Sequence, residues 1–174
     1  MGQIKIRLAT EKDAPAIAKI HVETWQHAYK DQVPDAFLDS LPSSIGARTK
    51  KWKETIAKNE RGLRLLVAET DGTIVGFCIV NRCRDDDMDE NTGELGAIYI
   101  DPASMKQGAG TALMEQSLRY LKEEGFTKAT LWVLSSNEKA RKWYESRGWT
   151  LEGKTKVDDR GEVRLHEIRY QITL

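Results

Sequence analysis

The chain has 174 residues, and its 27 Lys plus Arg balance 27 Asp plus Glu to a formal net charge of zero. That balance gives no basic field to draw in nucleic acid or an anionic membrane surface. The length suits one domain over 1–174 with a substantial core. No apolar run approaches a membrane span and no signal-like h-region opens the chain. Residue 6 is Ile, where a Met-Gly myristoylation signal needs Ser or Thr. Cys78 and Cys83 fit no CxxC spacing and make no disulfide framework. His21, His27 and His166 are scattered without ligand spacing, so no metal is expected. The expectation is a cytoplasmic, reduced protein.

In chain order, "IKIRLA" (4–9) alternates as a strand, and Thr10 can cap a helix through 13–30 with Pro15 in its first turn. A second helical segment follows Pro42 and runs toward residue 60. Two β-rich runs flank Asp71-Gly72, which is hairpin turn chemistry. The second run is apolar on both faces and should lie centrally. Residues 82–91 form a charged loop, and "GELGAIYI" (93–100) is a strand stopped by Asp101-Pro102. A glycine turn then opens a helix to about Glu124, with Leu113, Ser117, Leu121, Met114 and Leu118 on one face and Gly125 at its end. "ATLWVL" (129–134) is a strand. Ser135 and Glu138 have capping-box spacing for a helix ending at Gly148. Strands at 149–153 and 162–174 close the chain around a turn at 158–161. The slip from Val163 and Leu165 to Ile168, Tyr170 and Ile172 predicts a bulge near His166 or Glu167.

The chemistry-bearing stretch is "KQGAGTALM" (106–114), two glycines at the mouth of a helix. They could serve a tight strand-to-helix turn, or expose backbone N–H groups at a helix N-terminus to an anion. No Walker loop is present. A G-x-G-x-x-G fingerprint fails because residue 113 is Leu.

"YIDPASMKQGAGTALM", followed by "LWVLSSNEKARKWYESRGW", resembles the GCN5-related N-acetyltransferase (GNAT) superfamily over nearly the whole chain. The resemblance implies an α/β (α+β) GNAT fold: a central, mixed, mostly antiparallel twisted sheet of six to seven strands flanked by about four helices. It implies acetyl-CoA as cosubstrate, with no metal. The family's signature Gln/Arg-x-x-Gly-x-Gly/Ala falls on Met105, Lys106, Gln107, Gly108, Ala109 and Gly110, ahead of Thr111. Both glycines match, and Met105 departs from the polar first position. The second motif, Asn-x-x-Ala-x-x-x-Tyr, is complete as Asn137, Ala140 and Tyr144. By the same resemblance the backbone of Ile98, Tyr99 and Ile100 holds the pantetheine arm on a strand that splays from its neighbour after a bulge near Gly96.

The family's reaction needs a neutral amine. A lysine-like ammonium with pKa about 10.4 is only about one part in a thousand neutral near pH 7.4, a deficit of roughly 4 kcal/mol. A carboxylate base offsets part of that, and Glu94 is the candidate by position. Tyr144 is the candidate acid for the departing thiolate, and no cysteine nucleophile is needed for direct transfer. Trp25, Tyr29 and Glu94 are the candidate acceptor contacts, with Asp35 and Asp39 as possible neighbours on that wall. A bland alternative stands beside each. Tyr144, Trp25 and Tyr29 could be core aromatics, Asn137 a helix-start residue, and Glu94 a solvated strand end. His166 and Glu167 could mark only the bulge. The acidic run Asp85, Asp86, Asp87, Asp89 and Glu90 could be a solvated loop or an attractor for a cationic amine. The expected partner is a small-molecule amine, with a homodimer left open. A peptide acetyltransferase and a non-catalytic acyl-CoA-binding module are the alternatives.

Overall fold

The computed structural model describes residues 2–58 and 60–174. Among these, seven strands form one sheet in the order β1-β2-β3-β4-β5-β7-β6. The strands are β1 (Lys5–Leu8), β2 (Arg64–Thr70), β3 (Thr73–Arg82), β4 (Thr92–Ile100), β5 (Lys128–Leu134), β6 (Thr150–Arg160) and β7 (Val163–Thr173). Every neighbouring pair is antiparallel except β4 with β5. The helices are α1 (Ala14–Ala28), α2 (Asp35–Ser40), α3 (Ile45–Ala57), α4 (Ala109–Glu123) and α5 (Glu138–Glu145). No described helix is long and apolar enough to cross a membrane.

The sheet has two covered faces because its central strands are apolar on both sides. Leu113, Met114 and Leu121 of α4, with Trp143 and Tyr144 of α5, pack on Cys78, Val80, Leu131 and Tyr170. On the opposite face Ile17 and Ile20 of α1 and Trp52 of α3 pack on Val67 and Phe77. Val22 and Trp25 meet Leu134, Val163 and Leu165 farther along that face. The β2–β3 hairpin turns on Asp71 and Gly72 at φ 49° and 78°, the left-handed pair that this dipeptide favours. α1 is fixed at its start by Asp13, which accepts from the Thr10 backbone N–H at 2.7 Å and pairs with Arg7 at 2.8 Å.

Four local expectations need correction. α1 ends at Ala28 rather than residue 30, and α3 ends at Ala57; Asn59 lies outside the described residues. Asn137, not Ser135, caps α5, accepting from the Ala140 N–H at 3.2 Å. β6 runs to Arg160, well past the expected 153, so residues 158–160 are strand and the turn follows them. β7 carries no bulge at His166 or Glu167, since it pairs with β5 without interruption. The irregularity lies on edge strand β6, between Leu151 and Thr155, where Gly153 sits at φ 101°. The hydrophobic slip arises because β7 buries opposite faces along its length. Val163 and Leu165 face the α1 side, while Ile168, Tyr170 and Ile172 face the α4 side.

Candidate active site

The sheet opens at β4. This strand pairs with β3 along its length, but with β5 only where Thr92–Glu94 meet Lys128–Thr130. A register shift against β3 falls at Gly96, where a Cβ would stand 3.1 Å from the Asn81 side-chain oxygen. Such a bulge bends its strand. Beyond it, Ile98, Tyr99 and Ile100 face no β5 ladder, so their backbone groups on that side can receive an extended amide chain. The end of the strand is fixed from the α1 side: the Thr24 hydroxyl donates to the Ile100 carbonyl at 3.1 Å.

The glycine loop lies beside that opening. Lys106 and Gly108 have φ 64° and 94°, and Gly108 is the N-cap of α4. No side chain caps this helix, so its first N–H groups keep their hydrogen-bonding capacity for an anion. Met105 precedes in extended conformation, and Gln107 and Ala109 flank Gly108. Gly110 has a different reason to be glycine. A Cβ there would meet Trp143 at 3.3 Å and Ile100 at 3.5 Å, so it lets α5 and β4 close on α4. Arg147, absent from the sequence reading, ties the same helix start to α5. It donates to the Thr111 hydroxyl at 2.8 Å and stacks over Trp143 at 4.1 Å. Free helix-terminal N–H groups, a left-handed glycine and an unpaired strand edge together suit a ligand with a pyrophosphate and an amide-bearing arm.

α5 carries Tyr144 onto the α4-side core. Its ring meets Trp143 and Trp149 edge-on at 5.3 and 6.2 Å. Burial pushes its phenol well above the ordinary range, with Tyr99 and Cys78 adding to the rise, so it keeps its proton at neutral pH. Asn137 and Ala140 are joined through the cap of α5, so the first two positions of that motif set the helix that carries the third. Neither cysteine is built as a nucleophile. Cys78 is fully buried, and its thiol is pushed up to about 12 by desolvation. The Cys83 thiol is also raised by burial.

The α1 side of the opening is aromatic and charged. The Trp25 indole donates to the Tyr99 hydroxyl at 3.0 Å, and Tyr29 stands edge-on to Trp25 at 4.7 Å. Trp25 is buried in the core and acts on the site through Tyr99, whereas Tyr29 is half-buried. Tyr99 therefore belongs to both sides: its backbone lies on the strand edge and its ring among the α1 aromatics. His21 stacks on that ring at 5.2 Å.

Two carboxyls here are half-buried and raised, Glu94 and Glu167. Glu94 is half-buried, and its carboxyl is raised first by burial and then by Asp85. Glu167, opposite Leu134, is also raised by burial and has Lys156 at 3.6 Å. The charge of Glu167 acts on Tyr29 and Tyr99, while the charged neighbours of Glu94 are Asp85, Lys156 and Arg84. Glu167 is thus coupled electrostatically to Tyr29 and Tyr99, and Glu94 to the 84–88 loop. Asp35 and Asp39 are exposed rather than part of the wall. The acidic run is not a free anionic patch either, since Asp85 and Asp87 are taken by Arg169 at 3.0 and 2.7 Å.

A sequence model of the acetyltransferase (GNAT) family matches residues 14–149. The uncharacterized N-acetyltransferase YuaI of Bacillus subtilis is 31% identical over 135 residues, covering 77% of this chain and 73% of that protein. The PaiA N-acetyltransferase of Thermoplasma acidophilum, solved in complex with coenzyme A, matches with a TM-score of 0.79 at 18% identity over 99% of each chain. The yncA protein of Salmonella typhimurium, solved with its cofactor acetyl-CoA, matches with a TM-score of 0.67 at 21% identity over 98% of this chain and 94% of its own.

Proposed function

The chain belongs to the acetyltransferase (GNAT) family and is an N-acetyltransferase; from that premise we propose that it moves the acetyl group of acetyl-CoA directly to the primary amine of a small molecule, within a ternary complex. The observation that carries this reading is the gap between β4 and β5. It has the free helix start at Gly108 on one side and Tyr29, Tyr99 and Glu167 on the other. Acetyl-CoA supplies a thioester whose C–S bond breaks as the C–N bond forms, leaving a thiolate that needs a proton and an amine that must lose one.

Residues 105–111 hold the pyrophosphate through backbone N–H groups, with Lys106 adding charge. The edge of Ile98, Tyr99 and Ile100 orients the pantetheine arm, and its N–H groups are placed to donate to the thioester oxygen. Asn137 and Ala140 set α5 so that Tyr144 can pass its phenolic proton to the sulfur. A carboxylate on the acceptor face, Glu94 or Glu167, takes the amine proton directly or through water. Trp25 fixes Tyr99, and Tyr29 borders the acceptor. A covalent acyl-enzyme has no support from the cysteines, both of which have raised thiols.

An acceptor screen read by thiol release tests the substrate class, over polyamines, amino acids, aminoglycosides and peptides. Small amines should turn over. Acetylation of peptides alone would overturn the small-molecule reading.

A further inference from the structure

Arg48 lies among aromatic groups without an acid. It projects from α3, half-buried, with its Nε donating to the Ser44 hydroxyl at 2.8 Å and its Nη1 3.3 Å from the His21 ring nitrogens. No carboxylate among the described residues pairs with it, and the charged group that acts on it most is a second guanidinium, Arg160. Arg160 reaches in from the end of β6 and stacks over Trp25 at 4.8 Å. Its Nε is held by Asp158 at 2.8 Å, a bond that leaves the other N–H groups of the fork free of that partner. His21 is pushed down to about 3, first by burial and then by Arg48, Arg160 and Lys51, so it stands neutral between them. The groups facing this place from α1, α3, β4, β6 and β7 are thus His21, Arg48, Lys51, Tyr99, Arg160 and Glu167, with Asp158 engaged at the rim.

The two guanidiniums repel each other, moderated by solvent because Arg160 is exposed and paired with Asp158 while Arg48 is half-buried. A protein could avoid this with a neutral side chain at 48. The arrangement becomes favourable when an anion lies between the forks, since guanidinium N–H pairs match carboxylate geometry. The site shares its floor with the proposed acceptor wall: Trp25 carries Arg160 on one side and meets Tyr29 edge-on, and its indole is bonded to Tyr99, on which His21 stacks.

Resting on the acceptor reading above, we propose that Arg48 and Arg160 form an anion subsite, and that the acceptor is a small amine bearing a carboxylate. Glu167 and Glu94 would face its ammonium and the two arginines its acid group, so the pocket is read as made for a zwitterion.

The test compares L-amino acids with their own carboxamides, in the purified enzyme with acetyl-CoA and thiol-release detection. The pairs differ only in the charge that the subsite would bind. At least one acid should exceed its amide in kcat/KM by about 10- to 100-fold, the scale of a charge-assisted hydrogen bond. Arg48→Gln should raise KM for the acid by a similar factor with kcat little changed, and should raise KM for the amide far less, so that the acid-over-amide preference collapses. Arg48→Lys, which keeps the charge, should recover part of the preference and separates charge from folding. Amides used as well as acids, or uncharged amines and polyamines used while amino acids are refused, overturn the subsite but leave the small-amine reading intact. Peptides acetylated with no small amine accepted overturn both.

Discussion

The two faces of the sheet use different materials. On the α4–α5 face the candidate groups are mostly backbone, the N–H groups after Gly108 and the edge of Ile98–Ile100, with Tyr144 as the one candidate catalytic side chain. On the α1–α3 face they are side chains from far apart in sequence, His21, Arg48, Tyr99, Arg160 and Glu167. A ligand common to a whole family can be held by geometry that any side chains can carry. A ligand particular to one member needs particular side chains. On the proposed reading cofactor and acceptor use opposite faces, and changes on each face should separate their effects.

The largest effect should come from Tyr144. Tyr144→Phe keeps the ring against Trp143 and Trp149 and removes only the hydroxyl. Turnover should fall by about 10² to 10⁴, the usual worth of general acid catalysis, while coenzyme A affinity measured by calorimetry stays the same. Turnover within threefold of wild type would make Tyr144 a packing residue and leave this face with no catalytic side chain.

The next effect contrasts two arginines of the acceptor side. Arg169 is fully buried and saturated, with Asp85, Asp87 and Glu152 between 2.7 and 3.0 Å. Arg48 is half-buried and pairs with no carboxylate among the described residues. The first cluster ties the 84–88 loop to β6 and β7; the second has bonding capacity to spare. Arg169→Met should therefore cost about 3 kcal/mol in urea unfolding, near the lower end for breaking a buried pair, because the three carboxylates can rehydrate. Arg48→Gln should cost little stability. The Arg169 guanidinium holds the Asp87 and Glu152 carboxyls below their ordinary range. Their contribution is present above the unfolded carboxylate pKa near 4 and is lost as pH falls through the depressed folded values. The acid limb of wild-type stability should flatten in Arg169→Met. Equal stability of the two variants would erase the contrast.

How much was legible in the sequence follows the same division. Glycines at 108 and 110 and the Asn137–Ala140–Tyr144 spacing lie close together in the chain and are demanded by backbone geometry, so they can be read locally. Even there the two glycines differ: Gly108 needs a left-handed φ, and Gly110 needs room against Trp143. The acceptor face could not be read in this way. Arg48 and Arg160 look like unrelated surface charges until the fold sets one beside His21 and the other over Trp25, neighbouring rings on α1. Glu167 looked like a bulge residue because β7 changes its buried face there. The acidic loop read as solvated because its partner, Arg169, is distant in sequence. Gly108→Ala sharpens the local half. Its Cβ has open space, with Ile4 at 3.7 Å, so only the backbone at φ 94° is strained. Stability should fall by about 1 to 2 kcal/mol, and coenzyme A should bind less tightly. Unchanged affinity in the folded variant would remove the glycine turn from pyrophosphate binding.

The smallest effect decides which carboxylate serves the acceptor face. Glu94 and Glu167 are both raised by burial, so each is protonated over a wider acid range than a solvated glutamate. Below its raised pKa a wild-type glutamate acts like the glutamine that would replace it, so the variant's deficit should vanish there. Well above neutrality more of the amine is already neutral, and the deficit should shrink again. The base is therefore the residue whose Gln variant shows a deficit of about tenfold near neutral pH, closing on both sides. Glu167 has the stronger claim from position, since its charge acts on Tyr29 and Tyr99, whereas Glu94 answers chiefly to Asp85. Profiles of kcat/KM from pH 5.5 to 9.5 for Glu94→Gln and Glu167→Gln, divided by wild type, separate the two. A domed deficit in Glu167→Gln with a flat ratio in Glu94→Gln assigns the proton to β7. The reverse returns it to β4. Flat ratios in both would mean that the amine reaches this face already neutral and that neither carboxylate is its base.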